Sequence, residues 1–211
     1  MITTFYHLAW LFIIYSFLGW GLETVTAALK QKQFVNKGLV NGPFCIIYGF
    51  TTCVVTVFFY ELHGIWLFMA SAIMSVVIEW TVGHLIEKLY HEKWWDYSDR
   101  KWNLDGYICL SMTTLWGILC TIAVTWGNRF FSYLYELMPS LAGEILVWIL
   151  LGVVGVDILA TMIILSGRSK NLQKWENVDI WLDNVSSRMG KSVYRTVNRR
   201  IVNAYPKALR R

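Results

Sequence analysis

The stretch that decides the fold is EWTVGHLIEKLYHEKWWDYSDRKWNLDG, residues 79–106. It begins as an apolar helical segment with Glu79, His84 and Glu87 inside three turns, and it then becomes an aromatic, acidic loop. A packed soluble core does not require two carboxylates and an imidazole in so hydrophobic a helix. If the helix lies in a bilayer, each of these groups costs free energy unless it is paired, so each marks a candidate site.

The composition indicates a membrane protein. Of the 211 residues, 56% are hydrophobic and only 16% are charged, whereas a soluble domain has about 25% charged residues. The 12 Trp and 11 Tyr fit this class because their rings favour the membrane interface. The N-terminus has neither basic residues nor a small-residue cleavage site, so we expect the first apolar segment to remain as an anchor.

Five segments are long and apolar enough to cross a hydrocarbon core, which takes about 20 residues. The sequence therefore predicts an all-α, multi-pass helix bundle over residues 1–166, followed by a cytoplasmic basic tail over 167–211. The predicted spans are approximately 5–28, 43–60, 65–86, 107–126 and 145–165.

The basic residues predict the orientation. Loop 30–42, loop 88–105 and the tail carry 18 of the 19 Lys and Arg residues, and Arg129 alone lies on the other side. Because basic loops stay in the cytoplasm, we expect the N-terminus outside and the C-terminus inside a cell membrane.

The first four predicted helices carry the signature of a parallel two-helix repeat. A shift of 64 residues aligns several pairs, and chance identity is the alternative to duplication. The aligned pairs are Gly19 with Gly83, Glu23 with Glu87, Lys37 with Lys101, Asn41 with Asp105, Gly42 with Gly106 and Cys45 with Cys109. Transporters are often built from such repeats, with sites at the repeat interface.

The tail over 184–211 has eight basic residues and no acidic ones. Apolar residues recur in it every four positions, which is typical of an amphipathic helix. Such a helix beside a membrane binds anionic lipid headgroups. Docking to an acidic partner is the alternative, and no pattern favours nucleic acid.

Acidic residues inside the spans are the candidate site. Glu79, Gly83 and Glu87 share one face of the third helix, with Glu87 near its cytoplasmic end and His84 on a neighbouring face. Glu23 occupies the position of Glu87 in the first repeat, and Asp157 lies midway along the fifth helix. Such carboxylates bind a cation, relay a proton or hold a cationic substrate. For Glu23 and Glu87, reaching the headgroups is the alternative, and for His84 it is simple packing.

The two cytoplasmic loops end in similar turn signals before the next helix. Asn and Asp before Gly satisfy backbone groups in turns, and the functional alternative is a cytoplasmic gate over a polar cavity. The candidate gate residues are Asn36, Asn41, Gly42, Asp96, Asn103, Asp105 and Gly106. The aromatic residues Trp94, Trp95, Tyr97 and Trp102 are interpreted as interface anchors.

Motifs for metal or cofactor chemistry do not occur. The four cysteines lie in apolar segments without C-x-x-C spacing, which favours packing over zinc or disulfides. No nucleophile elbow, phosphate-binding loop or H-E-x-x-H motif occurs. We therefore predict no metal and no cofactor, and an enzyme would have to use Glu87 and His84 as an acid/base pair.

Several stretches together resemble a known family. YSFLGWGLE (15–23), NKGLVNGPFCIIYG (36–49), the helix from Glu79 to Glu87, and WWDYS with NLDG within 94–106 resemble the membrane proteins described as putative ABC-transporter type IV permeases. The resemblance covers about residues 9–125 and implies a permease with an ATP-binding subunit as partner. The chain lacks an E-A-A-x-x-x-G loop, the feature by which importer permeases engage their ATPase.

These observations predict a small-solute permease or permease subunit with an intramembrane carboxylate site. Because one 24.5 kDa chain offers few helices for a solute path, we expect a homodimer or a larger complex. The alternatives are a scaffold or regulator that acts through its basic tail and the intramembrane enzyme named above.

Overall fold

Apolar helices make up most of the described chain. The computed structural model describes residues 5–31, 42–90, 93 and 95–169. The α-helices are α1 (Phe5–Gln31), α2 (Ile46–Phe59), α3 (Gly64–Tyr90), α4 (Leu110–Ile122), α5 (Asn128–Glu136) and α6 (Ser140–Ser169). The prediction of an all-α membrane helix bundle is confirmed.

Four helical stretches in the described residues are long and apolar enough to cross a membrane: Phe5–Leu29, Gly64–Leu89, Leu110–Glu136 and Ser140–Ile163. The helix α2 has only 14 residues, which is about 21 Å, and so it is shorter than a hydrocarbon core of about 30 Å. Its N-terminal end lies beside the middle of α1, because the N–H of Cys45, directly before α2, donates to the carbonyl of Ser16.

The third of these stretches, Leu110–Glu136, continues past residue 126, where the fourth span was predicted to end. A π-helical segment, Ala123–Gly127, joins α4 to α5 without a break. Gly127 packs against the hydroxyl of Tyr15, so that a side chain here would collide with α1. The buried Asn128 follows directly. In the sequence, Asn128 suggests the end of the apolar run. In the structure, it lies in the interior of the helix bundle.

The helices pack as two antiparallel pairs, α1 with α2 and α3 with α4. Glycines permit close approach in both pairs: Gly19 lies against the ring of Tyr48, and Gly117 lies against Phe68. We call the end of the bundle where α1 and α3 end the loop end, and the end where they begin the far end. The phenyl ring of Phe5 contacts Trp148, which places the start of α6 at the far end too.

The two pairs begin their second helices in the same way. Cys45 directly precedes α2 and Cys109 directly precedes α4, and both have extended backbone angles without a side-chain cap. These are the cysteines that the 64-residue shift aligns. The matching helix starts agree with the predicted repeat.

The segment before α4 contains a short hairpin. Strand β1 (Asn103–Leu104) pairs antiparallel with β2 (Ile108–Cys109). Asp105 and Gly106 form the turn, with φ of 53° and 75°, which is typical of the Asp-Gly turns that connect hairpins. The basic tail over 170–211 lies outside the described residues, and so do Asn36 and Asn41.

Candidate functional site

Glu79 is the most deeply buried carboxylate of the bundle's described part, with 5% of its surface exposed. It lies two-thirds of the way along α3. Tyr97 and Trp116 lie beside Glu79, and their phenol and indole N–H groups face its carboxylate. The Oε2 atom has no hydrogen-bond partner among the described residues, so this carboxylate keeps one unused acceptor inside the bundle.

Glu23 of α1 is the second carboxylate of this cluster. It lies close enough to Glu79 for the two negative charges to repel each other. The hydroxyl of Tyr48, on α2, donates to Glu23 Oε1 over 2.8 Å. Within the described residues, no Lys or Arg side chain forms an ion pair with either carboxylate. Among the described residues, the pair is therefore an acidic centre without a neutralising basic side chain.

Aromatic rings enclose one side of the two carboxylates. The rings of Tyr48 and Trp116 pack with centroids 4.4 Å apart, and both residues belong to a buried apolar cluster. This apolar surround excludes water and strengthens the electrostatic interactions inside it. We call Glu23, Glu79, Tyr48, Tyr97 and Trp116 the carboxylate cluster.

Tyr97 reaches the cluster because its loop folds back between the helices. Its N–H donates to the carbonyl of Gly106 (2.8 Å), and the indole of Trp95 donates to the carbonyl of Tyr107 (2.9 Å). Burial, followed by the charges of Glu79 and Glu23, raises the pKa of Tyr97 above its ordinary value. The phenol therefore stays protonated at neutral pH and remains a donor.

Four of the predicted gate residues, Asp96, Asn103, Asp105 and Gly106, take part in the hydrogen bonds of this loop. Asp96 Oδ1 accepts from the N–H of Ser98 (2.9 Å), and the Asn103 amide donates to the carbonyl of Arg100 (2.8 Å). The carbonyl of Asp105 accepts from Lys93 Nζ (2.9 Å). Gly106 is packed against Ser98 and Asp96. These contacts shape the loop that carries Tyr97.

Asp157 contacts the backbone segment that precedes α2. Its Oδ2 accepts from the N–H of Gly42 (2.6 Å), and the N–H of Cys45 donates to the carbonyl of Ser16 (2.8 Å). Gly42–Cys45 is therefore non-helical backbone at the depth of mid-α1. Such backbone is tolerated inside a membrane only where protein buries it or where it lines a cavity.

His84 and Glu87 lie nearer to the loop end of α3. The ring of His84 packs between Trp80 (4.1 Å between centroids) and Tyr107 (4.3 Å). Within the described residues, no hydrogen bond or ion pair joins His84 to Glu87. The carboxylate that approaches Glu79 is thus Glu23, which is the repeat counterpart of Glu87.

The cysteines Cys45, Cys53, Cys109 and Cys120 have free thiols. No group of three or more His, Cys, Asp or Glu residues in the described ranges has the geometry of a metal site.

Sequence reasoning missed three members of the cluster. Tyr48 and Trp116 were not singled out, and Tyr97 was interpreted as an interface anchor. Aromatic residues in a membrane protein are most often packing or interface groups, so their identity alone gave no signal. The position of Tyr97 beside the Asp-Gly hairpin was the available clue, because that turn returns the loop to the end of α3.

A multi-pass bundle of apolar helices with paired carboxylates in its interior is typical of membrane transport proteins. The comparison of families agrees with this class. The chain belongs to the family described as putative ABC-transporter type IV, whose model matches residues 10–162. It is therefore a transporter-like membrane protein.

No curated protein and no solved structure matches the sequence.

The contact between Gly42 and Asp157 generates a prediction. In a variant that keeps Cys45 as its sole cysteine, Asp157→Leu removes the acceptor for the Gly42 N–H, so the segment before α2 loosens. We expect faster labelling of Cys45 by a small membrane-permeant maleimide. Asp157→Asn retains an acceptor oxygen and is the matched control. Equal labelling rates in the Leu and Asn variants would show that Asp157 does not hold this segment.

Proposed function

We propose that this protein is a small-solute transporter, or the membrane subunit of one, whose intramembrane site is the carboxylate pair Glu23 and Glu79. The observation that supports this most is the burial of Glu79 with an unused acceptor oxygen. An ionisable group in this position is expensive to keep inside a membrane. A binding role for the carboxylate gives a reason for keeping it.

The charge of the pair favours a cationic solute or a coupling cation. Two carboxylates that repel each other bind a positive charge more readily than one does. The phenol of Tyr97 occupies one face of Glu79, so displacement of the 93–109 loop would open the pair from the loop end. We propose this loop as the gate, with Tyr97 as the residue that closes it. His84, Glu87 and Asp157 would support the surrounding helices and the segment before α2.

The geometry of the site favours transport over the two alternatives, an intramembrane enzyme and a scaffold. An enzyme would need His84 and Glu87 to act together, but the imidazole packs between two aromatic rings. A scaffold that acts only through its tail gives no reason for a buried carboxylate pair. We retain the predicted orientation, with the loop end in the cytoplasm, because loop 30–42, loop 88–105 and the tail carry 18 of the 19 basic residues in the sequence and basic loops stay inside.

Uptake measurements test the carboxylate site. Purified protein in lipid vesicles is exposed to a defined mixture of small cations, amines and amino acids, and the vesicle contents are analysed by mass spectrometry. We expect at least one cationic component to accumulate with the wild-type protein and to be lost with Glu79→Gln, because the amide cannot carry the negative charge. Glu61→Gln, in the exposed α2–α3 loop, is the matched control. Accumulation that survives Glu79→Gln would remove this residue from the site.

The family membership raises the question of an ATP-binding subunit, which we propose as a partner together with self-association into a dimer. The 93–109 loop presents exposed Arg100, Lys101 and Trp102 at the loop end and is the docking surface we propose. The tagged protein is purified in mild detergent, and its partners are identified by mass spectrometry. We expect an ATP-binding protein in fixed stoichiometry, lost when Arg100 and Trp102 are replaced by Ala. Purification as a homodimer alone would contradict an ATP-driven mechanism.

A further inference from the structure

Buried polar side chains continue from the carboxylate cluster toward the far end of the bundle. On α3, Ser75 and Ser71 lie one and two turns beyond Glu79, on the same face, and both are at most 2% exposed. On α2, Thr52 and Thr56 follow Tyr48 at the same four-residue spacing, and both are buried. The two stripes run in the same direction because α2 and α3 are antiparallel.

The first polar junction lies one turn from Glu79. The Cys120 thiol of α4 lies beside the hydroxyls of Ser75 and Thr52, so the junction joins α2, α3 and α4. Cys120 itself is one turn beyond Trp116, which lies beside Glu79. Consecutive polar groups here are one helical turn apart, about 5.4 Å, a gap that one water molecule can bridge.

A second polar junction follows near the π-helical segment. The Asn128 amide donates to Thr56 Oγ1 (2.9 Å), and the hydroxyl of Tyr15 donates to Asn128 Oδ1 (2.9 Å). This junction joins α1, α2 and α5, and Asn128 is 2% exposed. Ser132 lies one turn further toward the far end and is also buried.

Two buried atoms between these groups have unused hydrogen-bonding capacity. Ser71 Oγ is fully buried, and neither this atom nor Glu79 Oε2 has a partner among the described residues. Helix packing alone does not account for polar atoms that bind nothing, because each costs about 1–3 kcal/mol when buried without a partner. A hydroxyl or a bridging water both accepts and donates hydrogen bonds, which is what proton transfer along a chain of such groups requires.

We infer that a proton path connects the carboxylate pair Glu23 and Glu79 with the far end of the bundle. Its proton-carrying groups are the hydroxyls of Ser75, Thr52, Ser71, Thr56 and Tyr15 with bridging waters between them. The Cys120 thiol lies beside the first two hydroxyls, and the Asn128 amide positions the hydroxyls of Thr56 and Tyr15. A proton bound at the carboxylate pair passes to a bridging water, and each hydroxyl or water accepts one proton while it releases another, so no net charge remains on the path. This inference rests on the proposed function and deepens it, because it gives the same carboxylate site a route for protons from the far end.

The test uses the full-length protein in lipid vesicles that contain a pH-sensitive dye, with potassium and valinomycin to clamp the membrane potential. After an external acid pulse, we expect proton entry above the level of empty vesicles, and we expect entry at that background level with Glu79→Gln. Thr52→Val and Thr56→Val replace a hydroxyl by a methyl group of similar size, and we expect both to slow proton entry.

Two kinds of control separate conduction from packing. Thr52→Ser and Thr56→Ser keep the hydroxyl and should conduct as the wild-type protein does. Thr81→Val and Thr114→Val remove hydroxyls from exposed positions of α3 and α4, and they should leave proton entry unchanged. A melting temperature in detergent for each variant identifies those that fail to fold, and the Ser variants test the path if a Val variant does.

The inference is overturned if the wild-type protein admits no more protons than empty vesicles do, or if the folded Val variants conduct as the wild-type protein does. The proton path is wrong and the proposed function stands if solute uptake depends on Glu79 while the Val variants still conduct protons as the wild-type protein does. The proposed function fails instead if solute uptake is insensitive to Glu79→Gln, whatever the proton entry.

Discussion

The burial of a carboxylate inside an apolar helix is the constraint on which the rest of this structure depends. An acidic residue near the centre of a membrane helix costs about 3 kcal/mol on insertion scales, and a hydrogen bond to a charged group returns about 1.5–3 kcal/mol. The donor groups that face Glu79 are those of Tyr97 and Trp116. Their combined contribution is of the same size as the cost, which explains why a loop and a second helix must converge on this one side chain.

The same constraint accounts for the irregular backbone inside the bundle. The 93–109 loop must enter between the helices if Tyr97 is to reach Glu79, and its hairpin turn at Asp105 and Gly106 makes the return possible. The segment Gly42–Cys45 enters in a comparable way before α2 and is held by Asp157. Unpaired backbone groups are costly in lipid, so each intrusion brings its own hydrogen bonds. The result is a polar interior that is covered by these segments at the loop end and continues through buried hydroxyl groups toward the far end.

Hydropathy was sufficient to predict the fold class, because long apolar runs have few alternatives to membrane helices. It was insufficient for α2 and for the end of the fourth span. The sequence of the apolar run before residue 60 does not indicate that its first residues are extended. Nor does the sequence around Asn128 indicate that a π-helical segment places this residue in the interior of the bundle. The acidic residues were predicted as a set from their cost in a membrane. Which of them meet was not predictable, because the pairing of Glu23 with Glu79 depends on how α1 and α3 are rotated, and a linear pattern does not contain this rotation.

The approach of the Tyr97 phenol to Glu79 links the 93–109 loop, α3 and the carboxylate cluster, and infrared spectroscopy tests most directly whether the phenol donates a hydrogen bond to this carboxylate. The carboxyl band of Glu79 is identified as the one that disappears in Glu79→Gln protein reconstituted in lipid. We predict that this band shifts in Tyr97→Phe, because the phenol donor is lost, and that it stays in place in Tyr133→Phe, which alters an exposed tyrosine. A Glu79 band at the same frequency in the wild-type and Tyr97→Phe proteins would contradict the account.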